Sequence, residues 1–414
     1  MTELNQELQP QTAILDLAGL PYQLALVEFL KRLDPDVWDW IAKSATGAKA
    51  AEEVKFELLK STYRVERELQ PAIYEAAEEV AARCGIVAPV TIYQAQNPQG
   101  LNAGLAYVLG EIHLILQGPI ASQLTPVEIR ALLGHELAHY RLWYASNGEF
   151  RIAADMLHAL ANDSHAHPAH FASIRLLRLY DEIYCDRGAW AVTGDVLSVV
   201  SMLVKVNTGL PEVSAASYLR QAEEIFSKGQ PVTSERTHPE VYIRARAIKL
   251  WADLGESANE RITQMIEGAA DLQELDLLAQ EKLATATRRV LDALLCRKWF
   301  QTDPVLAHAR LFFADYIPPE ALLVDAELSS QVPVESKSLQ DYFGFLLLDF
   351  VAADRDLEEA PVAAALSVAE PLGIKPQFLE LLRKELKIRK TQLEKIDREQ
   401  KKILADADRA GGAP

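Results

Sequence analysis

Cysteine is scarce in this chain. Three occur in 414 residues, Cys84, Cys185 and Cys296, odd in number and far apart. They make no disulfide framework and no Cys-x-x-Cys metal knuckle, which fits a reducing compartment. Long apolar runs are missing as well. No stretch reaches the roughly 18 uncharged apolar residues of a membrane span. The nearest, "VLSVVSMLVKV", is short and carries Lys205, so it reads as a buried helix. Positive charge is also in deficit. Lys and Arg number 42 against 59 Asp and Glu, a net charge of -17, which argues against nucleic acid or an anionic membrane as partner. The opening "MTELNQELQP" lacks the basic start and apolar run of a secretory leader. The expectation is a cytoplasmic protein without an integral membrane segment. At 49% hydrophobic and 24% charged residues, the chain can bury a sizeable core, in two or three domains.

The pattern is mainly α with a small β-sheet, an α+β chain. Apolar positions at helical spacing run through "YQLALVEFLKRL", and further helices follow in "DPDVWDWIAKSA" and "ELQPAIYEAAEEVAARCGI". "VTIYQAQ" alternates as a strand does. "LNAGLAYVLGEIHLILQG" reads as a hairpin turning at Gly110 and Glu111. Thr125, Pro126 and Glu128 are a strong helix start, with Thr125 as N-cap, Pro126 at the first position and Glu128 closing a capping box. That helix should run to about Ala145 and end near Asn147-Gly148. After the polar break "NDSHAHPAH", another helix is expected from Pro168 to Gly194.

The first of these two helices holds "ALLGHELAHY". Residues i and i+4 stand one above the other on a helix face, so His135 and His139 can offer two nitrogens to one ion. A tetrahedral zinc that keeps a water needs three protein ligands. Glu136 points beside such an ion and could reach its water, the arrangement of H-E-x-x-H metallopeptidases. A lone H-E-x-x-H also arises by chance. The flanking Leu132, Leu133, Leu137 and Ala138 favour a buried face, where two unpartnered histidines would be costly.

A third ligand has to come from elsewhere. Glu182 and Asp186 share a face of the next long helix, amid Ile183, Tyr184, Ala189 and Trp190. Glu182 could complete the set, with Asp186 accepting from a ligand histidine. Two acids on a helix are more often solvated surface, and His158, His165, His167 and His170 compete. These four fall in or beside the polar break and read as a surface loop.

"LTPVEIRALLGHELAHYRL", "EIYCDRGA" and "THPEVYIRARAI", in this order, resemble the HtpX-like and CAAX-prenyl-protease family of zinc metallopeptidases, over about Ser61 to Leu254. The resemblance implies a zincin-like domain with one zinc per chain and Glu182 as third ligand. It implies Asp186 as support for a ligand histidine, and Asn102-Ala103-Gly104 as the start of a substrate-edge strand. His238, before Pro239, becomes the candidate that stabilises the oxyanion. Arg244 or Arg246 would anchor acidic groups in the cleft or cover the site. Many family members are membrane-embedded, and the small residue usual before the aspartate is Cys185 here.

"LLLDFVAADRDLEEAPVAAALSVAEPLGI" resembles the TerB-like helical domain, over about Leu339 to Ile388. Asp354, Asp356 and Glu358 do not make an EF-hand, since the glycine and the closing glutamate are absent; helix capping by Asp354 or Asp356 fits them better. Leu382, Leu386, Leu393, Ile396 and Ile403 form a thin stripe, either packed on its own domain or available for self-association. The expected organisation is a helical extension over 1–60, a peptidase domain over 61–257, and a helical connector and linker over 258–338. The TerB-like domain over 339–388 and a charged helical tail over 389–414 follow.

The expected function is zinc-dependent hydrolysis of peptide or protein substrates. Glu136 is the base, and the strand from Ala103 to Val108 takes substrate by main-chain pairing. Two other classes stand beside it: a zinc-bound but inactive scaffold, and a helical interaction protein acting through its C-terminal domain. The intact Glu136 speaks against both.

Overall fold

The computed structural model describes residues 17–44, 48–96, 100–269, 271–319 and 336–411. The acidic start of the chain and most of the linker expected before Ser338 lie outside them. The chain divides into two compact units, Met1–Gly268 and Ala269–Pro414. The fold is mainly helical with one small mixed sheet, as the sequence pattern implied.

The first unit opens with α1 (Pro21–Leu33), α2 (Pro35–Ser44) and α3 (Ala48–Ser61). Strand β1 (Thr62–Arg64), helix α4 (Pro71–Arg83) and strands β2 (Val90–Ala95), β3 (Asn102–Val108) and β4 (Glu111–Gln117) follow. The sheet order is β1-β2-β4-β3, with β2 and β4 parallel and the other pairs antiparallel. The β3–β4 hairpin turns at Leu109-Gly110, where Gly110 takes φ +80°. That left-handed value suits glycine. Among the described residues β3 is an edge strand: it pairs with β4 on one side and with no strand on the other.

After the short α5 (Ile120–Gln123) comes α6 (Pro126–Tyr144). Its capping box forms as expected: Thr125 Oγ1 accepts from Glu128 N at 3.3 Å, and Thr125 N donates to Glu128 Oε2 at 2.8 Å. Glu128 is buried, and beyond Thr125 it accepts from Ser201 Oγ at 2.5 Å and from Lys205 Nζ at 2.9 Å. That ion pair explains how α9 (Val196–Thr208) tolerates a lysine in its apolar run. The chain leaves α6 through Ser146 and Asn147, both with positive φ, and enters α7 (Glu149–Ala161). Helix α8 (Pro168–Thr193) ends on Gly194, in the left-handed conformation. α10 (Ala215–Ser227), α11 (Val241–Leu254) and α12 (Asn259–Ile266) complete the unit.

α6 and α8 approach closely because glycine faces small residues at the crossing. A Cβ on Gly188 would lie 2.5 Å from the Ala138 Cβ and 2.9 Å from the Gly134 carbonyl oxygen. Around this pair, Leu133 and Leu137 of α6, Ile112 and Leu114 of β4, Val80 of α4 and Val199 of α9 form a common core.

The second unit contains α13 (Leu277–Leu295), α14 (Asp303–Phe312), α15 (Lys337–Ala353), α16 (Ala360–Ala369), α17 (Lys375–Glu385) and α18 (Lys390–Gly411). Val290 and Leu294 share one core with Phe343, Phe350, Leu366 and Phe378. Helices expected as a connector therefore pack with the C-terminal helices. Asp354 caps the turn after α15, its carboxylate accepting from Asp356 N at 3.0 Å. The stripe from Leu382 to Ile403 is broken at Lys387, which has φ +55°. Leu382, Leu393 and Ile396 are buried, and Leu386 and Ile403 pack on the same core. Of the two readings of that stripe, packing on its own domain is the one these contacts fit. Among the described residues, no helix is long and apolar enough to cross a membrane.

Candidate metal centre

The crossing of α6 and α8 brings the acid-base residues together. His135, Glu136 and His139 project from α6, and Glu182 and Asp186 from α8. All are buried except His139, which is partly open. Glu182 Oε2 lies 3.5 Å from His135 Nε2, and Glu182 Oε1 lies 3.4 Å from His139 Nε2. Those separations are long for hydrogen bonds. They match two donors of a single tetrahedral ion, whose ligand atoms at roughly 2.0–2.1 Å from zinc stand roughly 3.3 Å apart. Glu182 Oε2 is buried and accepts no hydrogen bond; its charged neighbour besides His135 is Arg244, 3.1 Å away.

The other ring nitrogen of His135, Nδ1, lies 3.1 Å from Asp186 Oδ1. An ionised carboxylate only accepts, so the proton belongs on Nδ1 and the Nε2 lone pair faces Glu182. Arg244, from α11, closes this layer. Its Nε donates to Asp186 Oδ2 at 2.8 Å, one terminal nitrogen donates to Asp186 Oδ1 at 2.6 Å, and the other sits 3.1 Å from Glu182 Oε2. The guanidinium is thus committed to two carboxylates rather than offered to a substrate, although it borders the cleft. Arg246 turns away, pairing with Glu223 and lying 5.5 Å from the centre of the Phe226 ring.

Charge follows from this packing. Burial opposes ionisation of Glu182, but Arg244 and the two histidines outweigh it and hold its carboxyl well below the usual range. Burial likewise opposes charge on His139. The Glu182 carboxylate reverses the balance and raises that imidazole to about 9 in the metal-free chain. Asp186 is held low against its burial, with Arg244 the main cause.

The site opens into a cleft of about 320 Å³. Asn102, Ala103, Gly104 and Leu105 of the β3 edge form one border, with Leu132, Met202, Leu203 and Val206 as apolar wall. A Cβ on Gly104 would meet nothing within 4 Å, so the face of the strand is open there. His238 reaches the cleft from a loop; its Nε2 is 3.4 Å from Glu182 Oε1, and 63% of its side chain is exposed. The four competing histidines do not line this cleft. His158 Nε2 meets Arg178, His165 is 93% exposed, and His167 and His170 cap the start of α8.

Three features had no clear signal in the sequence. Gln23 of α1 is fully buried and donates to Asp181 Oδ1 at 2.7 Å, beside Glu182. The Cys185 Sγ lies within 4.8 Å of donor nitrogens of both His135 and His139. Burial raises the Cys185 thiol well above its ordinary range. The two histidines thus have two neighbours able to complete a ligand set, the Cys185 thiol and the Glu182 carboxylate. Tyr107 also enters the cleft, stacked on Trp143 of α6; neither belongs to the H-E-x-x-H pattern.

No family model and no solved structure matches the chain. Among curated proteins, it is similar to the plastoglobule-localized metallopeptidase 48, chloroplastic, of Arabidopsis thaliana, at 25% identity over 227 residues. The match covers 51% of this chain and 65% of that protein, so the chain spans just under two thirds of the relative's length.

Proposed function

We propose that this chain is a zinc-dependent endopeptidase of the HtpX-like type. His135, His139 and Glu182 would hold the ion, and Glu136 would serve as general base. One observation carries the reading. Glu182 is buried, and its two oxygens lie 3.4–3.5 Å from the inward nitrogens of both histidines. Similarity to a metallopeptidase supports the same class of chemistry.

Bound there, zinc would supply a Lewis acid and make water nucleophilic at neutral pH. The remaining work falls to the chain. An extended peptide would add to the open edge of β3, main chain to main chain. Glu136 would take the proton of the attacking water and deliver it to the leaving nitrogen. Asp186 and Arg244 would hold His135 and Glu182 in place, and His238 would donate to the developing oxyanion. Main-chain pairing is tolerant of side chains, so selectivity would come from the apolar wall. The TerB-like unit would act in docking or regulation, and the cytoplasm is the proposed location, testable by cell fractionation.

The test has two parts. Wild-type protein should carry about one zinc per chain, lost in a His135→Ala/His139→Ala double variant and in Glu182→Ala. Peptide-library cleavage should be present in wild type and abolished in Glu136→Gln. Full zinc retention without the histidines, or an active Glu136→Gln protein, overturns the reading.

A further inference from the structure

The alternation of β3 puts Ala103, Leu105 and Tyr107 on one face of the strand. Ala103 and Leu105 pack on the core shared with α6, and Tyr107 lines the cleft together with His135, Glu136, His139 and Glu182. Its ring lies on Trp143, centroids 4.0 Å apart and planes 17° from parallel. Trp143 is one turn beyond His139 on the same helix face. The helix that carries the histidine pair therefore also fixes the tyrosine, and its ring cannot swing without breaking the stack.

Buried tyrosine hydroxyls ordinarily find a partner, and others in this unit do. Tyr74 donates to the Val65 carbonyl at 2.8 Å, Tyr180 to Glu267 at 2.5 Å and Tyr184 to the Leu17 carbonyl at 3.3 Å. Tyr107 is half-buried, and no protein hydrogen bond to its hydroxyl is found among the described residues. Burial first, then the Cys185 thiol and the carboxylates of Glu136, Asp181 and Glu182, push its phenol above the ordinary range. The hydroxyl is thus unspent, in the cleft that His135, Glu136, His139 and Glu182 also line.

We infer that Tyr107 is a catalytic residue of this cleft, its hydroxyl donating a hydrogen bond to the oxyanion that develops as a peptide carbonyl becomes tetrahedral. The inference rests on the peptidase reading and adds a second donor beside His238. The two differ in kind. His238 is mostly exposed, with Thr237 Oγ1 3.0 Å from its Nδ1, whereas Tyr107 is locked by stacking. A donor held in place before the reaction needs no reorganisation when charge appears.

Tyr107→Phe tests this, because it keeps the ring and the stack and removes only the hydroxyl. Its kcat should fall roughly 100-fold, the scale of losing one oxyanion donor. KM, zinc content and melting temperature should stay at wild-type values. Affinity for a phosphinic peptide, a tetrahedral anion, should fall by a similar factor. The Kd for the cleavable peptide, measured in a Glu136→Gln background with and without Tyr107→Phe, should not move. If kcat stays within twofold of wild type, or both ligands weaken equally, the hydroxyl is not an oxyanion donor. If Glu136→Gln is inert while Tyr107→Phe is fully active, only the inference falls. If wild type holds no zinc or cuts nothing, the peptidase reading falls and takes the inference with it.

Discussion

Gly188→Ala should push α8 away from α6, and the sign of its effect decides whether the helix crossing sets the site. In an unhindered helix interior, replacing glycine by alanine stabilises by about 1 kcal/mol. Here the new methyl group would stand 2.5 Å from the Ala138 Cβ and 2.9 Å from the Gly134 carbonyl oxygen. Ordinary carbon contacts sit at roughly 3.5–4.0 Å, so the helices must part by on the order of 1 Å. Overpacking of that kind costs about 1–3 kcal/mol, enough to overturn the propensity gain. The site feels the shift more than the fold does. Its donors are divided between the two helices at 3.4–3.5 Å separation, and metal–ligand distances tolerate only about 0.2 Å. Zinc affinity, measured by chelator competition, should fall on the order of 10–100-fold, and the chelated protein should melt lower. Adding Ala138→Gly removes the methyl contact but leaves the carbonyl contact, so rescue should be partial. A Gly188→Ala protein that melts higher than wild type and binds zinc as tightly would refute the argument.

Glu136→Gln should keep its zinc and its melting temperature while proteolysis drops by roughly 10²–10⁴-fold, read by metal analysis beside peptide cleavage. Arg244→Gln should destabilise the metal-free protein by about 3–5 kcal/mol, because it strands the buried Glu182 and Asp186 carboxylates; denaturant melts in chelator measure it, and a loss under 1 kcal/mol contradicts it. His139 has its pKa raised from 6.5 to about 9 in the metal-free chain. The stability it contributes should be complete below pH 6.5 and lost as pH rises through about 9. Thermal melts in chelator should show that decline, and His139→Gln should remove its share of the slope; an unchanged slope rules it out. A chain ending at Gly268 should fold and retain zinc. One ending near Val332 should aggregate, because it exposes Val290, Leu294 and Val305, which belong to the second unit's core.

The sequence spoke clearly where short-range chemistry governs. The capping box at Thr125, the stop after Tyr144 and the run of α8 from Pro168 to Gly194 follow from local rules. The i, i+4 spacing of His135 and His139 puts both rings on one helix face. Contacts between distant elements were much less legible. β1, three residues long, forms only because it pairs with β2, and nothing local distinguishes it from loop. The parallel pairing of β2 with β4 leaves no periodic mark either. Arg244 looked like a substrate anchor because a lone arginine gives no hint that two carboxylates 58 and 62 residues earlier wait for it. Tyr107 and Trp143 read separately as strand and helix aromatics, and only their stacking makes them one feature. The stripe near the C-terminus left two readings open because its spacing runs across Lys387, where φ is +55° and the helix is broken.

The division of donors between α6 and α8 has a mechanical consequence. His139 and Glu182 stand 43 residues apart along the chain, and a bound ion would tie them into a closed loop containing all of α7. In chain-entropy terms, a cross-link of that span removes freedom from the unfolded ensemble worth roughly 4 kcal/mol. This chain has three free, buried cysteines, so the metal would take the stapling part that a cystine plays elsewhere. Withdrawal of the ion would then do more than stop turnover. It would release the tether across α7 and raise the fraction of chains that open, coupling catalytic competence to lifetime through a single bound atom.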